Sequence, residues 1–129
     1  MYKQRVFISH SVSDEPWVRE FTDSLRGLGF EVELDYHNIR LGDSLADALE
    51  EGLRKSSVIV LLVTPDSIKR PNLFFEMGAA IGMGKRLVPV VSSEVDPAEL
   101  PAPLRERQYL VKATPEATAQ EFALQAVGA

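Results

Sequence analysis

The chain has 129 residues, 45% of them hydrophobic and 26% charged, which suits one compact globular domain and is too short for two. A formal net charge of −5 argues against a nucleic-acid-binding surface. The lack of cysteine excludes disulfides, and no spacing of His, Asp or Glu suggests zinc or another metal site. The first residues lead into a strand and not a signal peptide, and no apolar run could span a bilayer, so we expect a cytoplasmic protein with no membrane or nucleic-acid partner.

The first half of the chain predicts a strand, a helix and a second strand. Residues 5–9 form a short apolar strand that enters a polar turn. Hydrophobic residues then recur at three- and four-residue spacing over 17–28, which predicts an amphipathic helix. Residues 30–35 alternate apolar and acidic side chains, which is typical of an edge strand with one wet face. A loop over 36–43 ends at Ser44, a good N-cap for the next helix.

The second half continues the alternation of strands and helices. Residues 58–63 are uncharged and rich in β-branched side chains, which predicts a strand buried on both faces of a parallel sheet. A helix is predicted over 72–83, and residues 86–91 predict a fourth strand, although Pro89 suggests an interruption because it lacks an N–H. The last strand and helix are predicted over 108–111 and 115–127.

Five strands alternating with helices predict an α/β fold. We expect a flavodoxin-like, doubly wound, five-stranded parallel sheet of order 2-1-3-4-5, flanked by helices. With that order the turns after the first and third strands lie side by side. Ser9, His10 and Ser11 would then lie beside the start of the helix over 72–83, with the 36–44 loop alongside.

Glu76 is the only charged residue in the apolar, small-residue helix over 72–83. It has no lysine or arginine one turn away, so it does not belong to a charged face. Its helix follows the central strand, and open α/β sheets bind their ligands just beyond the carboxyl ends of such strands. With Asn72 as N-cap, the helix field would favour an ionised carboxylate. We interpret Glu76 as a functional residue.

Several segments together resemble the Toll/interleukin-1 receptor (TIR) domain family. They are Val6–Ser11 with Asp14, then Asp35 and Gly42, then residues 56–65 and Glu76. The resemblance covers about residues 4–112 and is nearest to prokaryotic members, which often cleave NAD⁺ at the nicotinamide–ribose bond with a glutamate in this position. It implies one TIR-like domain over residues 1–129, with Glu76 as the catalytic residue. It also implies that Tyr36–Asp43 is the BB loop, which bounds the nucleotide pocket and mediates assembly.

The resemblance and the predicted topology together give a set of candidate substrate contacts around Glu76. They are Ser9, His10, Ser11, Asp35, Gly42, Asp43, Ser44 and Asn72. Most also have a structural interpretation: the serines can cap helices, His10 and Asp35 can belong to turns, and Gly42 can serve a positive-φ loop. Asn72 stands where many catalytic members carry tryptophan, and it either binds a ribose hydroxyl or caps the helix. Phe74 and Phe75 favour the core over a nucleobase platform.

Cleavage of NAD⁺ is chemically compatible with a single carboxylate. The reaction passes through an oxocarbenium-like ribose and releases neutral nicotinamide, so it needs no general acid and no cofactor. We therefore expect an NAD⁺ nucleosidase that gives ADP-ribose or a cyclised product, active when assembled, and by resemblance involved in bacterial antiphage defence or signalling. The alternative is a non-catalytic module that docks other TIR domains through the 36–43 loop. A third hypothesis is base exchange on nucleosides, because residues 71–80 also resemble nucleoside deoxyribosyltransferases.

Overall fold

Five parallel strands form one sheet in the order β2-β1-β3-β4-β5. The computed structural model describes residues 4–34, 52–69 and 71–127. The strands are β1 (Arg5–Ser9), β2 (Glu31–Leu34), β3 (Val58–Val63), β4 (Arg86–Val91) and β5 (Leu110–Val111). The helices are α1 (Glu15–Gly27), α2 (Pro71–Gly82), α3 (Ala102–Arg105) and α4 (Pro115–Val127), and residues 52–55 are also helical. This topology confirms the predicted flavodoxin-like fold.

Helices cover both faces of the sheet, because successive side chains of a strand point to opposite sides. On one face, the even-numbered residues of β3 pack with α1 and α4. On the other face, its odd-numbered residues pack with α2, with residue Leu53 of the 52–55 segment and with Leu104 of α3. All six residues of β3 are buried, as the uncharged run predicts for a central strand. Helix α2, which carries Glu76, therefore belongs to the second layer.

Strand β4 runs unbroken over Arg86–Val91, so the interruption predicted at Pro89 is wrong. The backbone geometry gives the reason. The carbonyl of Val91 accepts a hydrogen bond from the N–H of Lys112, on the β5 side of β4. Backbone groups two residues apart face the same side of a strand, so the Pro89 nitrogen also faces β5. The missing N–H of Pro89 therefore does not disrupt the pairing with β3. It removes no hydrogen bond to β5 either, because β5 begins only opposite Val90.

Smaller differences from prediction lie at the ends of elements. β5 begins two residues later than the predicted 108, and α3 was not predicted. The edge position of β2 is confirmed by the sheet order and by its partial exposure. The predicted loop over 36–43 and the Ser44 cap lie outside the described residues. In the part of the chain that the structure describes, no helix is long and apolar enough to cross a membrane.

Two glycines test the packing of the second layer. A Cβ added at Gly52 would lie 2.7 Å from Phe7 Cε2, and the Phe7 ring is held in the core, whereas a Cβ at Gly78 meets nothing within 4 Å. We expect Gly52→Ala to lower the free energy of unfolding by about 1–3 kcal/mol through overpacking. We expect Gly78→Ala, the matched control in α2, to raise it by about 0.5–1 kcal/mol. Urea denaturation measures both, and equal effects at the two sites would contradict this packing.

Candidate active site

Glu76 lies on the inner face of α2, against the sheet. Leu73, Met77 and Ala80 are buried in the cluster that includes odd-numbered residues of β3. Positions three and four apart share one helix face, so Glu76 belongs to the same stripe. Its side chain is 0% exposed. The carboxyl group is thus enclosed in the layer between α2 and the sheet and does not project into bulk water.

Such burial is unfavourable for folding. Transferring a carboxyl group out of water costs free energy that an apolar side chain of similar size does not incur. The remainder of the inner stripe is apolar, so packing alone gives no reason for a glutamate there. This position agrees with the interpretation of Glu76 as a functional residue.

The start of α2 corrects one expectation. The helix begins at Pro71, a residue favoured at the first helical position, so Asn72 lies within the first turn and is not the N-cap. Glu76 is the sixth residue of the helix and belongs to its second turn. Because the helix field falls off within about one turn, it supports the Glu76 carboxylate less than predicted. The side chain of Asn72 lies outside the described residues, so its contact with substrate stays a prediction.

Ser9, His10 and Ser11 form a buried segment at the carboxyl end of β1, with 2%, 6% and 4% of their surfaces exposed. Ser9 pairs with Leu61 of β3, so the segment leaves the sheet next to the central strand. The Ser11 side chain makes no cap hydrogen bond. Its hydroxyl instead donates to Asp14 Oδ2 at 2.6 Å. A capping role for Ser11 is therefore wrong.

The segments that follow β1 and β3 are in direct contact, as the strand order predicts. Thr64, the first residue after β3, donates its hydroxyl to Asp14 Oδ2 at 2.7 Å. Nearby, the Ser13 hydroxyl donates to Asp66 Oδ2 at 2.8 Å. From the sequence, Asp14 belongs to the family pattern and to a polar turn, Thr64 belongs to the turn after β3, and neither residue is a candidate for the site. Their partnership depends on contacts far apart in the chain, which no local signal indicates.

The other candidate contacts are not placed by the structure. Asp35, Gly42, Asp43 and Ser44 lie outside the described residues, as does the Tyr36–Asp43 loop. Phe74 is 47% exposed, so its predicted core position is wrong. It therefore belongs to the solvent-exposed side of α2. The side chain of Phe75 lies outside the described residues.

Two surface clefts lined by described residues lie elsewhere on the molecule. One, of about 590 Å³, lies at the amino ends of β3 and β4 and includes Arg86 and Tyr109. The other, of about 400 Å³, lies between α1 and β2. Glu76 lines neither of them. Parallel α/β sheets bind ligands at the carboxyl ends of their strands, and the segments around Ser11 and Thr64 lie at that end.

Comparison with known proteins identifies the family. The model of the TIR domain family matches residues 6–124, so this chain belongs to the TIR domain family. The chain is 30% identical over 76 residues to the 2′ cyclic ADP-D-ribose synthase BtTIR of Bacteroides thetaiotaomicron, a match that covers 58% of this chain and 26% of that protein. It is 32% identical over 77 residues to the 2′ cyclic ADP-D-ribose synthase AbTIR of Acinetobacter baumannii, covering 59% and 29%.

The match to these two enzymes thus spans less than a third of their length. Among solved structures, the TIR domain of the Toll-related receptor TRR-2 from Hydra magnipapillata has a TM-score of 0.76 at 17% identity, covering 96% of this chain and 98% of that one. That similarity shows the shared fold.

Proposed function

We propose that this TIR domain cleaves NAD⁺ at the nicotinamide–ribose bond and that Glu76 is its catalytic residue. The observation that carries the proposal is a fully buried carboxyl group in the helix that follows the central strand. Two relatives at 30% and 32% identity bear the name 2′ cyclic ADP-D-ribose synthase, which supports the same class of chemistry here. The products would be nicotinamide with ADP-ribose or a cyclised ADP-ribose, in bacterial defence or signalling.

The main requirement of this reaction is one negatively charged group placed beside the ribose. When the bond between ribose C1′ and the nicotinamide nitrogen breaks, the electron pair stays with the nitrogen and the ring leaves neutral. Positive charge develops on the ribose, and a carboxylate beside it stabilises that charge more in the transition state than in the ground state. Water or a nucleophilic group of the same molecule then captures the ribose. No bound cofactor takes part in this scheme.

The enclosure of Glu76 implies that the substrate needs a rearrangement to reach it. A side chain that is 0% exposed contacts a ribose only after the surrounding chain opens. Assembly with another TIR domain can stabilise such an opened state by mass action. We therefore propose that activity is weak in the monomer and rises on assembly, with the Tyr36–Asp43 loop as the assembling segment.

Nicotinamide release from NAD⁺ tests the assignment. Glu76→Gln keeps the shape of the side chain and removes its charge, so we expect the rate to fall by about 10²- to 10³-fold. Glu121→Gln is the matched control, because Glu121 is exposed on α4, across the sheet from α2. Equal rates for wild type and Glu76→Gln would remove Glu76 from the mechanism. No nicotinamide at any protein concentration would overturn the enzyme proposal.

A non-catalytic interaction module is the second candidate, and the outer face of α2 favours it. Phe74 and Ile81 are 47% and 39% exposed there. Residues 71–84 contain no charge except the buried Glu76. An uncharged apolar face of this kind is typical of protein–protein contact sites. In a chain of net charge −5, it also offers a place where two copies meet without charge repulsion.

Sedimentation across a dilution series separates the two candidates. If α2 serves only for docking, Phe74→Ser should shift the monomer–oligomer equilibrium toward monomer, by at least about tenfold in the dissociation constant. Glu76→Gln should leave that equilibrium unchanged and no variant should release nicotinamide. Val12→Ser is the control, since Val12 is 77% exposed and lies outside α2. Equal self-association of Phe74→Ser and Val12→Ser would exclude this face as the contact.

A further inference from the structure

Asp14 occupies the N-cap position of α1, yet its carboxylate does not cap that helix. Aspartate is a preferred N-cap residue, and the usual hydrogen bond to the helix backbone stabilises by about 1 kcal/mol. Here the side chain forgoes that bond and turns toward two hydroxyl groups. Asp14 Oδ2 accepts from Ser11 Oγ at 2.6 Å and from Thr64 Oγ1 at 2.7 Å. Both distances are short, as expected for hydrogen bonds to an ionised acceptor.

These two donors belong to different parts of the sheet. Ser11 follows β1 in the segment that contains Ser9 and His10, and Thr64 follows β3 directly. Ser11 and Thr64 are 4% and 3% exposed and Asp14 is half-buried, so the hydrogen bonds to Asp14 are partly shielded from water. A single carboxylate oxygen therefore connects the segments that follow two neighbouring strands, β1 and β3.

Thr64 also forms hydrogen bonds with Ser67, in the turn that precedes α2. Its hydroxyl accepts from the Ser67 N–H at 3.2 Å, while the Thr64 N–H donates to Ser67 Oγ at 2.8 Å. The Ser67 hydroxyl in turn donates to the Leu62 carbonyl of β3 at 2.7 Å. The turn between β3 and α2 is thus closed by reciprocal hydrogen bonds. Helix α2 begins four residues after Ser67, and Glu76 lies in its second turn.

We propose that Asp14 is a positioning residue for NAD⁺ cleavage. It holds the Ser9–Ser11 segment at a fixed distance from the turn that sets the start of the Glu76 helix, and it does not touch the substrate. The inference rests on the proposed function. Its physical basis is that a displacement of about 1 Å between a substrate and a catalytic group can lower a rate by about 10²-fold.

The experiment measures kcat and KM for nicotinamide release with wild type and variants of Asp14 and Thr64. Asp14→Ala should lower kcat about 10- to 100-fold with KM changed by less than about threefold, because it disturbs alignment rather than binding. Asp14→Asn should recover most of kcat, since its amide oxygen can accept from both hydroxyls. Asp23→Ala is the control, because Asp23 is an exposed carboxylate on α1.

Thr64→Val and the double variant test the shared bond. Thr64→Val keeps the shape of the side chain and loses the hydroxyl that donates to Asp14 and accepts from the Ser67 N–H, so it should also lower kcat about 10- to 100-fold. The effect of the double variant should be smaller than the product of the two single effects, because both variants remove the Asp14–Thr64 hydrogen bond, each together with one other bond. If Asp14→Ala fails to fold, Asp14→Asn and Thr64→Val carry the test, with thermal unfolding as the check.

Each outcome decides the proposal. Normal kcat in Asp14→Ala or in Thr64→Val overturns it and leaves the Glu76 assignment intact. If the effects of the two variants multiply fully, the idea of a shared hydrogen bond between Asp14 and Thr64 is wrong. If Asp14→Asn does not recover kcat, Asp14 does not position the site through its hydrogen bonds. A wild-type protein that releases no nicotinamide overturns the proposed function, and the positioning role with it.

Discussion

The burial of one carboxyl group between α2 and the sheet is the constraint around which this domain is organised. Glu76 is 0% exposed on a helix face that is otherwise apolar. Apolar packing gives no reason for a glutamate at this position, and a functional role is the explanation that we propose. In the proposed reaction, that role is to stabilise positive charge on a ribose.

The hydrogen bonds around Asp14 complement that buried charge. Parallel strands place the segments after β1 and β3 side by side, but the pairing between these two strands ends at Ser9 and Leu61. Beyond that point, hydrogen bonds from side-chain hydroxyls connect the two segments. Ser11, Thr64 and Ser67 are all buried and all hydrogen-bonded. Satisfied buried polar networks rigidify their surroundings, which is a requirement for alignment in catalysis.

The fold was largely predictable because its signals are local and periodic. The uncharged run over 58–63 and the three- and four-residue spacing in α1 predicted the layers, and the strand order was that of the flavodoxin-like topology which the strand–helix alternation suggested. Pro89 was misread because the harm of a missing N–H depends on which neighbouring strand it faces. That direction is a property of the assembled sheet.

The site was predictable only in part. Glu76 was identified because a lone charge stands out in an apolar helix. Sequence spacing defines the start of a helix only to within a residue or two, and the exposure of Phe74 depends on how α2 rotates against the sheet. The link from Asp14 to Thr64 joins residues 50 apart in the chain and has no periodic signature.

A structure of the Glu76→Gln variant bound to NAD⁺ would test the central claim most directly. The account predicts that the nicotinamide ribose enters the layer between α2 and the sheet and that the side-chain amide of residue 76 lies about 2.7–3.2 Å from a ribose hydroxyl. The segment around Ser9 and the turn at Thr64 would border the same ligand. NAD⁺ bound with its ribose remote from α2, as in the cleft beside Tyr109, would contradict it.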